Sequence, residues 1–135
     1  MATKTAAAAA STVQPRGLRV GLTTITEVYS LTTTLSAGDV IQMVKVPKGA
    51  TPVYVAVTGA STGVTTVTVG DGVDPNRFID GYATSANAVQ QAINVAYVPY
   101  TYTADDTIDV VVSAASVATV GGSITMTAIF SMDAA

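Results

Sequence analysis

Short segments in which apolar and hydroxyl side chains alternate are the feature that most constrains the fold of this chain. The clearest is Ser123–Met132, where every second residue is apolar and the residues between are mostly Ser and Thr. Since successive side chains of a strand point to opposite faces, this pattern predicts a strand with one buried face. Four further segments are rich in β-branched residues and are separated by turns containing Gly, Ser or Pro: Val40–Val46, Val53–Val57, Val64–Val69 and Thr107–Ser113.

These segments predict an all-β domain, an antiparallel jelly roll or β-sandwich of roughly eight strands with an extended N-terminal arm. An immunoglobulin-like sandwich is the alternative, and the lack of Cys and Trp weakens it only slightly. The length of 135 residues suits one domain with a core and is too short for two comfortable ones.

The composition limits the partners that this chain can bind. Charged residues make up 11% of it, less than half of the proportion usual in soluble domains, and the formal net charge is −3. Because phosphate binding depends on clustered Lys and Arg, and the basic residues form no dense run, no nucleic-acid partner is predicted. No apolar run approaches the ~20 residues that span a bilayer, so no membrane partner is predicted either.

The chain contains no His and no Cys, which limits its chemistry. Ser-His-Asp and Cys-His catalysis, disulfides and thiolate zinc sites are therefore excluded. A glycosidase needs two carboxylates that flank a sugar. Glu27 is the only glutamate, and a turn explains the adjacent Asp105 and Asp106 better than catalysis does. We predict that the protein is not an enzyme and has no cofactor.

The first residues differ in composition from the rest of the chain. They contain an unbroken Ala run followed by Ser, Thr, Gln and Pro. A signal peptide would need a longer and more hydrophobic core than this run provides. We therefore predict an arm over residues 1–22 and a β-sandwich domain over residues 23–135. The arm is expected to be ordered on a partner or on a neighbouring copy, with Arg16 and Arg19 as contacts.

A turn-forming segment, Val69–Gly81, begins at the end of the predicted strand Val64–Val69. Gly70 and Gly72 permit a positive φ, and Pro75 fixes its own φ while excluding Asp74 from the helical region. The segment should form a rigid corner, with Phe78 and Ile79 turned back toward the core.

Charge is also concentrated at this corner, where Arg77 lies among Asp71, Asp74 and Asp80. We interpret these residues as a structural corner in which Arg77 pairs with carboxylates. A calcium site is the alternative, since carboxylate oxygens are ligands that Ca²⁺ prefers. The spacing does not match an EF-hand loop and Arg77 sits in the middle, so no metal is predicted.

Three tyrosines cluster before the strand at Thr107: Tyr97, Tyr100 and Tyr102. Tyr100 and Tyr102 share one face by parity, and Tyr97 takes the other. Ordinary packing at the sandwich edge is one explanation. A protein interface is a second, because tyrosine is enriched at interfaces. A sugar-binding platform is a third.

Three segments together resemble the jelly-roll decoration or cement proteins of tailed bacteriophage capsids: Gly38–Ala50, Val69–Gly81 and Tyr100–Val110. The resemblance covers the chain from Gly38 to the last strand and excludes the Ala-rich arm. It implies a virion protein on the outer surface of the capsid that binds the major capsid protein and bridges capsomers. It also implies a homodimer or homotrimer, and no catalytic residue.

Two other functions remain open from the sequence. One is a carbohydrate-binding β-sandwich module of a phage tail or fibre, which would use the strand from Tyr97 to Tyr102. The other is the major subunit of a filament or a small viral coat. An RNA-packaging coat would need a more basic arm than one carrying Lys4 and Arg16.

Overall fold

A computed structural model describes residues 2–6, 9, 21–60, 66–83, 90–92, 100–113 and 122–132. In these residues the chain forms nine strands: β1 Thr3–Thr5, β2 Gly21–Ser30, β3 Val40–Val46, β4 Ala50–Ala60, β5 Thr66–Gly70, β6 Ile79–Ala83, β7 Gln90–Ala92, β8 Asp106–Val112 and β9 Ser123–Met132. None of the described residues belongs to a helix that is long and apolar enough to span a bilayer.

The strands form two sheets that share one core. One sheet has the order β1-β3-β8-β5-β6 and the other β2-β9-β4-β7. The β1–β3 pair is parallel, and the remaining pairs are antiparallel. From β2 onward, the chain repeatedly crosses from one sheet to the other, and the two four-stranded layers have the strand order of a jelly roll. The predicted all-β jelly roll is confirmed.

β9 lies at the centre of the second sheet and supplies much of the core. It pairs with β2 on one side and with β4 on the other. Ile124, Met126, Ala128 and Phe130 are fully buried, and Met132 packs against the same cluster. The predicted strand and its buried face are confirmed.

β-Bulges occur where strict alternation fails. Met43 and Val44 are consecutive and both buried, because the β3–β8 register shifts between Gln42 and Val44. The β5–β6 register shifts opposite Gly81, which has a φ of 94°. Glycine adopts this left-handed conformation without a steric penalty. The bulge lets Tyr82 return to the core, where its hydroxyl accepts a hydrogen bond from the Gly59 N–H at 3.3 Å.

The start of the chain differs from the prediction of an arm outside the domain. β1 pairs with β3 of its own chain, and the Ala6 side chain is buried in the core. The Asp39 carboxylate accepts hydrogen bonds from the backbone N–H groups of Ala2 at 3.0 Å and Ser36 at 2.9 Å. The physical reason is that β3 would otherwise present an open edge, which β1 covers. The proposed boundary after residue 22 stays a prediction, since residues 10–20 lie outside the described part.

Candidate interaction site at the Asp71–Arg77 corner

Asp71 organises the turn between β5 and β6. Its Oδ1 accepts hydrogen bonds from the backbone N–H groups of Val73 at 3.0 Å and Asp74 at 2.9 Å. The backbone N–H of Asp71 donates in return to the carbonyl oxygen of Asp74 at 2.9 Å. Aspartate is favoured in turns because its short side chain can reach the N–H groups that follow it. Because β6 already begins at Ile79, the corner that the sequence predicts within Val69–Gly81 is formed by residues 70–78, and the name refers to these residues below.

Gly70 is required at the corner for space rather than for a positive φ. Neither Gly70 nor Gly72 has a left-handed φ, contrary to the conformation expected from the sequence. A Cβ atom at Gly70 would lie 2.0 Å from the carbonyl oxygen of Asp74 and 2.5 Å from the carbonyl carbon of Pro75. The corner can therefore close only where residue 70 has no side chain.

Two side chains bind the second carboxylate oxygen of Asp71. Arg77 Nε donates to Oδ2 at 2.6 Å, and the Tyr102 hydroxyl donates to the same atom at 3.0 Å. Asp71 is 3% exposed and Tyr102 is 2% exposed. A buried carboxylate is costly unless its oxygens are hydrogen-bonded, and here two backbone and two side-chain donors meet that requirement.

Arg77 joins the corner to the segment that precedes β8. Its guanidinium carbon lies 3.7 Å from the centre of the Tyr100 ring. The rings of Tyr100 and Tyr102 are in turn T-shaped, with centroids 5.0 Å apart and planes at 87°. A guanidinium can bind a carboxylate in its plane while its face stacks on an aromatic ring. Four side chains from two segments therefore form one cluster: Asp71, Arg77, Tyr100 and Tyr102.

The electrostatics of the cluster favour fixed charge states. Burial opposes ionisation of Asp71, but hydrogen bonds from Arg77, the backbone and Tyr102 hold its pKa below the ordinary value. Burial and the neighbouring Asp71 charge raise the pKa of Tyr102, so its hydroxyl remains a donor. Burial acts against the charge of Arg77, yet Asp71 raises the pKa of the guanidinium overall. Four hydrogen bonds occupy the lone pairs of the Asp71 carboxylate, an arrangement that favours a structural role over acid–base chemistry.

The tip of the corner projects into solvent. Val73 is 79% exposed, and Gly72, Pro75 and Asn76 around it are also exposed. The described residues contain no group of three or more acidic side chains placed to hold a metal ion. The arrangement presents an apolar side chain on a rigid support, which is suited to contact with another protein.

The three aspartates predicted around Arg77 have different roles. Asp71 forms the ion pair. Asp74 contributes electrostatically to Arg77, and its Oδ1 accepts a long hydrogen bond from the Asn76 N–H at 3.4 Å. Asp80 lies in β6 and is exposed.

Of the five residues predicted at an interface, two lie in the described part of the chain. Arg16, Arg19 and Tyr97 lie outside the described residues, and their interface role stays a prediction. Tyr100 is half-buried beside Arg77. Tyr102 is buried, so its ring cannot form a contact surface, and it supports the corner from beneath because its hydroxyl binds Asp71.

The contact between the tyrosines and the corner is the part of the site that the sequence did not reveal. Asp71 and Tyr102 are 31 positions apart, and no local spacing connects them. The connection comes from topology: β5 pairs with β8 in antiparallel fashion, which brings the end of β5 beside the segment that enters β8. The contact between Asp71 and Tyr102 would have been predictable once β5 and β8 had been assigned as neighbouring strands.

Another buried carboxylate, Asp109, lies on β8 opposite Gly70. It is 4% exposed and accepts a hydrogen bond from Thr107 Oγ1 at 2.6 Å. Burial, with smaller contributions from the charges of Asp106 and Asp71, raises the pKa of Asp109 to about 6 despite the Thr107 hydrogen bond, which lowers it. Asp109 therefore carries a charge in a position that disfavours it at neutral pH.

Comparison with known proteins gives matches in structure alone. No protein-family model matches the chain, and no curated protein does. A chain in the capsid of Ralstonia phage GP4 superposes with a TM-score of 0.83 at 18% identity, covering 98% of this chain and 99% of that one. The chain has a fold found in phage capsids.

Two further capsid structures support this result. A chain in the capsid asymmetric unit of cyanophage Pam1 gives a TM-score of 0.67 at 18% identity, covering 90% of this chain and 92% of that one. A chain in the acidic stable capsid of Helicobacter pylori bacteriophage KHP30 gives 0.57 at 15% identity, covering 84% and 95%. The resemblance to jelly-roll proteins of phage capsids is thus confirmed at the level of the fold.

Proposed function

We propose that this protein is a structural protein of a phage virion that decorates the capsid. It binds the outer face of the major capsid protein shell, bridges neighbouring capsomers and stabilises the head. The observation that carries the proposal is the fold, which matches the GP4 capsid chain over nearly all of both chains. The decoration role is supported by the resemblance of three sequence segments to cement proteins.

The surface of the molecule is compatible with this role. Only 11% of the residues are charged, and the corner presents Val73 on a support held by buried hydrogen bonds. A contact that is rigid before binding loses little conformational entropy on association. We propose that Val73 contacts the shell, that Arg16 and Arg19 dock on acidic capsid groups, and that the protein self-associates as a dimer or trimer.

A shell-binding assay tests the proposal. Purified protein is added to mature capsids that have been stripped of it, and the pelleted stoichiometry and the melting temperature of the particle are measured. We expect saturable binding at a simple ratio to capsid protein and a raised melting temperature. Val73→Asp should weaken binding without unfolding the protein, while Asp80→Ala, on the exposed side of β6, should not. Absence of binding would mean that this protein shares the fold of the phage capsid chains but not a capsid-binding function.

The carbohydrate-binding alternative has weaker support from the geometry. A sugar would stack on Tyr100, but Arg77 lies 3.7 Å from the centre of that ring and is also bonded to Asp71. Displacing Arg77 would leave the buried Asp71 carboxylate without its ion-pair partner. A glycan array tests this alternative, and specific binding that is lost in Tyr100→Ala would favour it over capsid decoration.

A further inference from the structure

The outward surface of the second sheet carries no charged side chain on its strands β2, β9 and β4. Directly opposite residues of antiparallel strands share a face, so the strand registers identify the side chains that point away from the core. They are the even-numbered residues of 22–30, the odd-numbered residues of 123–131 and, after the bulge in β4, Val53 and the even-numbered residues of 54–58. We call this set of side chains the uncharged face.

Most of the exposed large apolar side chains lie on the uncharged face. Leu22 is 69% exposed, Val28 49% and Val53 43%, and among the described residues only Val73 of the corner is a further large apolar side chain in this class. Val53 belongs to the face because it is the extra residue of the β4 bulge, next to Tyr54. A single exposed apolar side chain is ordinary, whereas several on one surface indicate an interaction site.

The outward surface of the first sheet differs because it carries charge. Lys45, Asp80 and Asp109 all lie on the side of its strands that points away from the core, as the strand registers show. A charged group loses favourable hydration when a partner covers it, so covering the uncharged face costs less free energy. The two outward surfaces therefore suit different partners, and the second sheet suits an uncharged one.

A depression of about 230 Å³ lies on the uncharged face, and its walls are mainly apolar. It forms around Ala56, whose small side chain lies between Tyr54 and Thr58 on β4 and opposite Thr127 on β9. A cavity of ~150 Å³ is large enough to hold benzene. The depression therefore has room for one leucine or phenylalanine side chain of a partner, and side chains seated in such pockets contribute much of the binding energy of interfaces.

We infer that the uncharged face is a second attachment surface, which binds an uncharged part of the capsid shell that presents one aliphatic or aromatic side chain to the depression. The inference rests on the proposed function and adds the surface and the chemistry of the partner. The centre of a protein interface is depleted in charged residues and contains apolar anchors, which is the composition of this face.

Two attachment surfaces on different sheets are what a bridge between capsomers requires. The corner connects β5 and β6 of the first sheet and presents Val73, whereas the uncharged face belongs to the second sheet. Both sheets pack on one core. One molecule can therefore contact two capsid subunits at once through surfaces that are held in a fixed relation.

The area of the uncharged face predicts the strength of this contact. Three strands ~4.8 Å apart and ~33 Å long present roughly 500 Å². Contact over this whole area would bury about 1,000 Å² on the two partners together, near the lower limit of specific interfaces. The face alone should thus bind weakly, and attachment through the corner raises the effective concentration at which it meets the shell.

Capsid pelleting over a range of protein concentrations tests the inference with charge variants. Val28→Lys places a charge on the uncharged face, and we expect it to weaken shell binding roughly tenfold or more, because an unpaired charge would be covered by the shell. Val111→Lys is the matched control, since it adds the same charge at a partly exposed apolar position on the outward surface of the first sheet. It should bind like the wild type. Circular dichroism verifies that both variants fold.

Ala56→Leu tests the depression without changing the charge. The larger side chain fills the space that the partner's side chain would occupy, so we expect shell binding to weaken several-fold. Thr68→Leu adds an apolar group on the first sheet and is the control, which should bind like the wild type. A folded Ala56→Leu variant that binds as tightly as the wild type would show that no side chain enters the depression.

Cysteine labelling locates the contact directly, since the wild-type chain has no Cys. Thr125 lines the depression and Thr68 lies on the outward surface of the first sheet, and both are partly exposed. The rate of maleimide labelling is measured for Thr125→Cys and Thr68→Cys, free and bound to shells. We expect the shell to slow labelling at residue 125 several-fold and to leave residue 68 unchanged. Protection of residue 68 instead would overturn the inference.

Failure of the inference is separable from failure of the proposed function. Wild-type protein that binds shells, together with a Val28→Lys variant that binds equally well, contradicts only the second attachment surface. Wild-type protein that does not bind shells contradicts both. Protection of residue 125 that rises with protein concentration in the absence of shells would assign the uncharged face to a second copy of this chain, and would also overturn the inference.

Discussion

Asp71 and Asp109 show that two buried carboxylates in one protein can respond oppositely to pH. Asp71 receives hydrogen bonds from two backbone N–H groups, Arg77 and Tyr102, and its pKa is lowered. Asp109 receives one from Thr107, and burial raises its pKa to about 6. Hydrogen bonds to the ionised form oppose the effect of burial, and the number of donors decides the sign.

Replacing Asp109 should change how stability depends on pH. Because the folded pKa is raised from 3.8 to about 6, Asp109 favours the folded state at low pH. This contribution is lost as pH rises from about 4 to about 6. We expect Asp109→Asn to remove that loss and to raise the free energy of unfolding at pH 7 by ~1–3 kcal/mol. Urea unfolding at several pH values measures it.

The matched control for this experiment is Asp80→Asn, at an exposed position of β6. It removes the same charge from an exposed site, so an effect that both variants share would come from net charge rather than from burial. Below the ordinary pKa of aspartate, wild type and Asp109→Asn should both lose stability, because the lowered pKa values of Asp71 and Asp39 mean that protonation there costs folding free energy. Identical slopes for wild type and Asp109→Asn from pH 4 to pH 6 would contradict the prediction.

Removing the carboxylate of Asp71 should be strongly destabilising. Asp71→Ala leaves the half-buried Arg77 without its ion-pair partner and removes the acceptor of two backbone N–H groups, and we expect a loss of about 3–5 kcal/mol. Tyr102→Phe removes one donor to the same carboxylate and should cost about 1–3 kcal/mol. Chemical denaturation measures both. A small effect of Asp71→Ala, similar to that of Asp80→Ala, would show that the cluster does not hold the corner.

At the level of single elements, the strands were easier to predict than the contacts between them. β3 and β9 have the predicted bounds, because both segments are rich in apolar residues and end at polar or turn-forming residues. In β3 the bulge at Met43 interrupts the alternation but leaves the strand apolar. β6 was not separated from the corner, since Gly81 interrupts its alternation. The contact of Tyr102 with Asp71 depends on the pairing of β5 with β8, and side-chain alternation in one strand does not specify its neighbour.

The corner itself should fail when residue 70 gains a side chain. In Gly70→Ala the new Cβ would lie 2.0 Å from the Asp74 carbonyl oxygen, so the turn must open, and we expect a loss of about 3 kcal/mol or more. In the control Gly72→Ala, the Cβ would lie 3.7 Å from Asp106 Oδ1, an ordinary contact. The melting temperatures of the two variants are compared by thermal unfolding. Equal melting temperatures would contradict the argument that residue 70 has no room for a side chain.

At the level of the whole molecule, the N-terminal region has both an internal and a proposed external role. Deleting residues 1–17 removes β1 from the edge of β3 and Ala6 from the core. We expect the remaining jelly roll to fold with a loss of about 1–3 kcal/mol and to bind shells poorly. Circular dichroism and capsid pelleting measure the two effects.

Asp39→Ala is the control that separates these roles. It keeps the whole N-terminal region but removes the carboxylate that holds the Ala2 N–H. If the region contacts the shell directly, Asp39→Ala should lose stability and keep most of its shell binding. Shell binding by the deletion variant at wild-type strength would show that the region is not needed for attachment.

The central position of β9 has a consequence for how the chain folds during synthesis. β2 and β4 each pair with β9 and not with each other. The second sheet therefore cannot be completed until β9 has left the ribosome, and until then β2 and the side of β4 that pairs with β9 are both open. Pairing of strands so distant in sequence is slow, because loop closure precedes any gain from contacts. The nascent chain is consequently most exposed to aggregation before β9 has emerged, when a chaperone that shields β-edges would have its greatest effect.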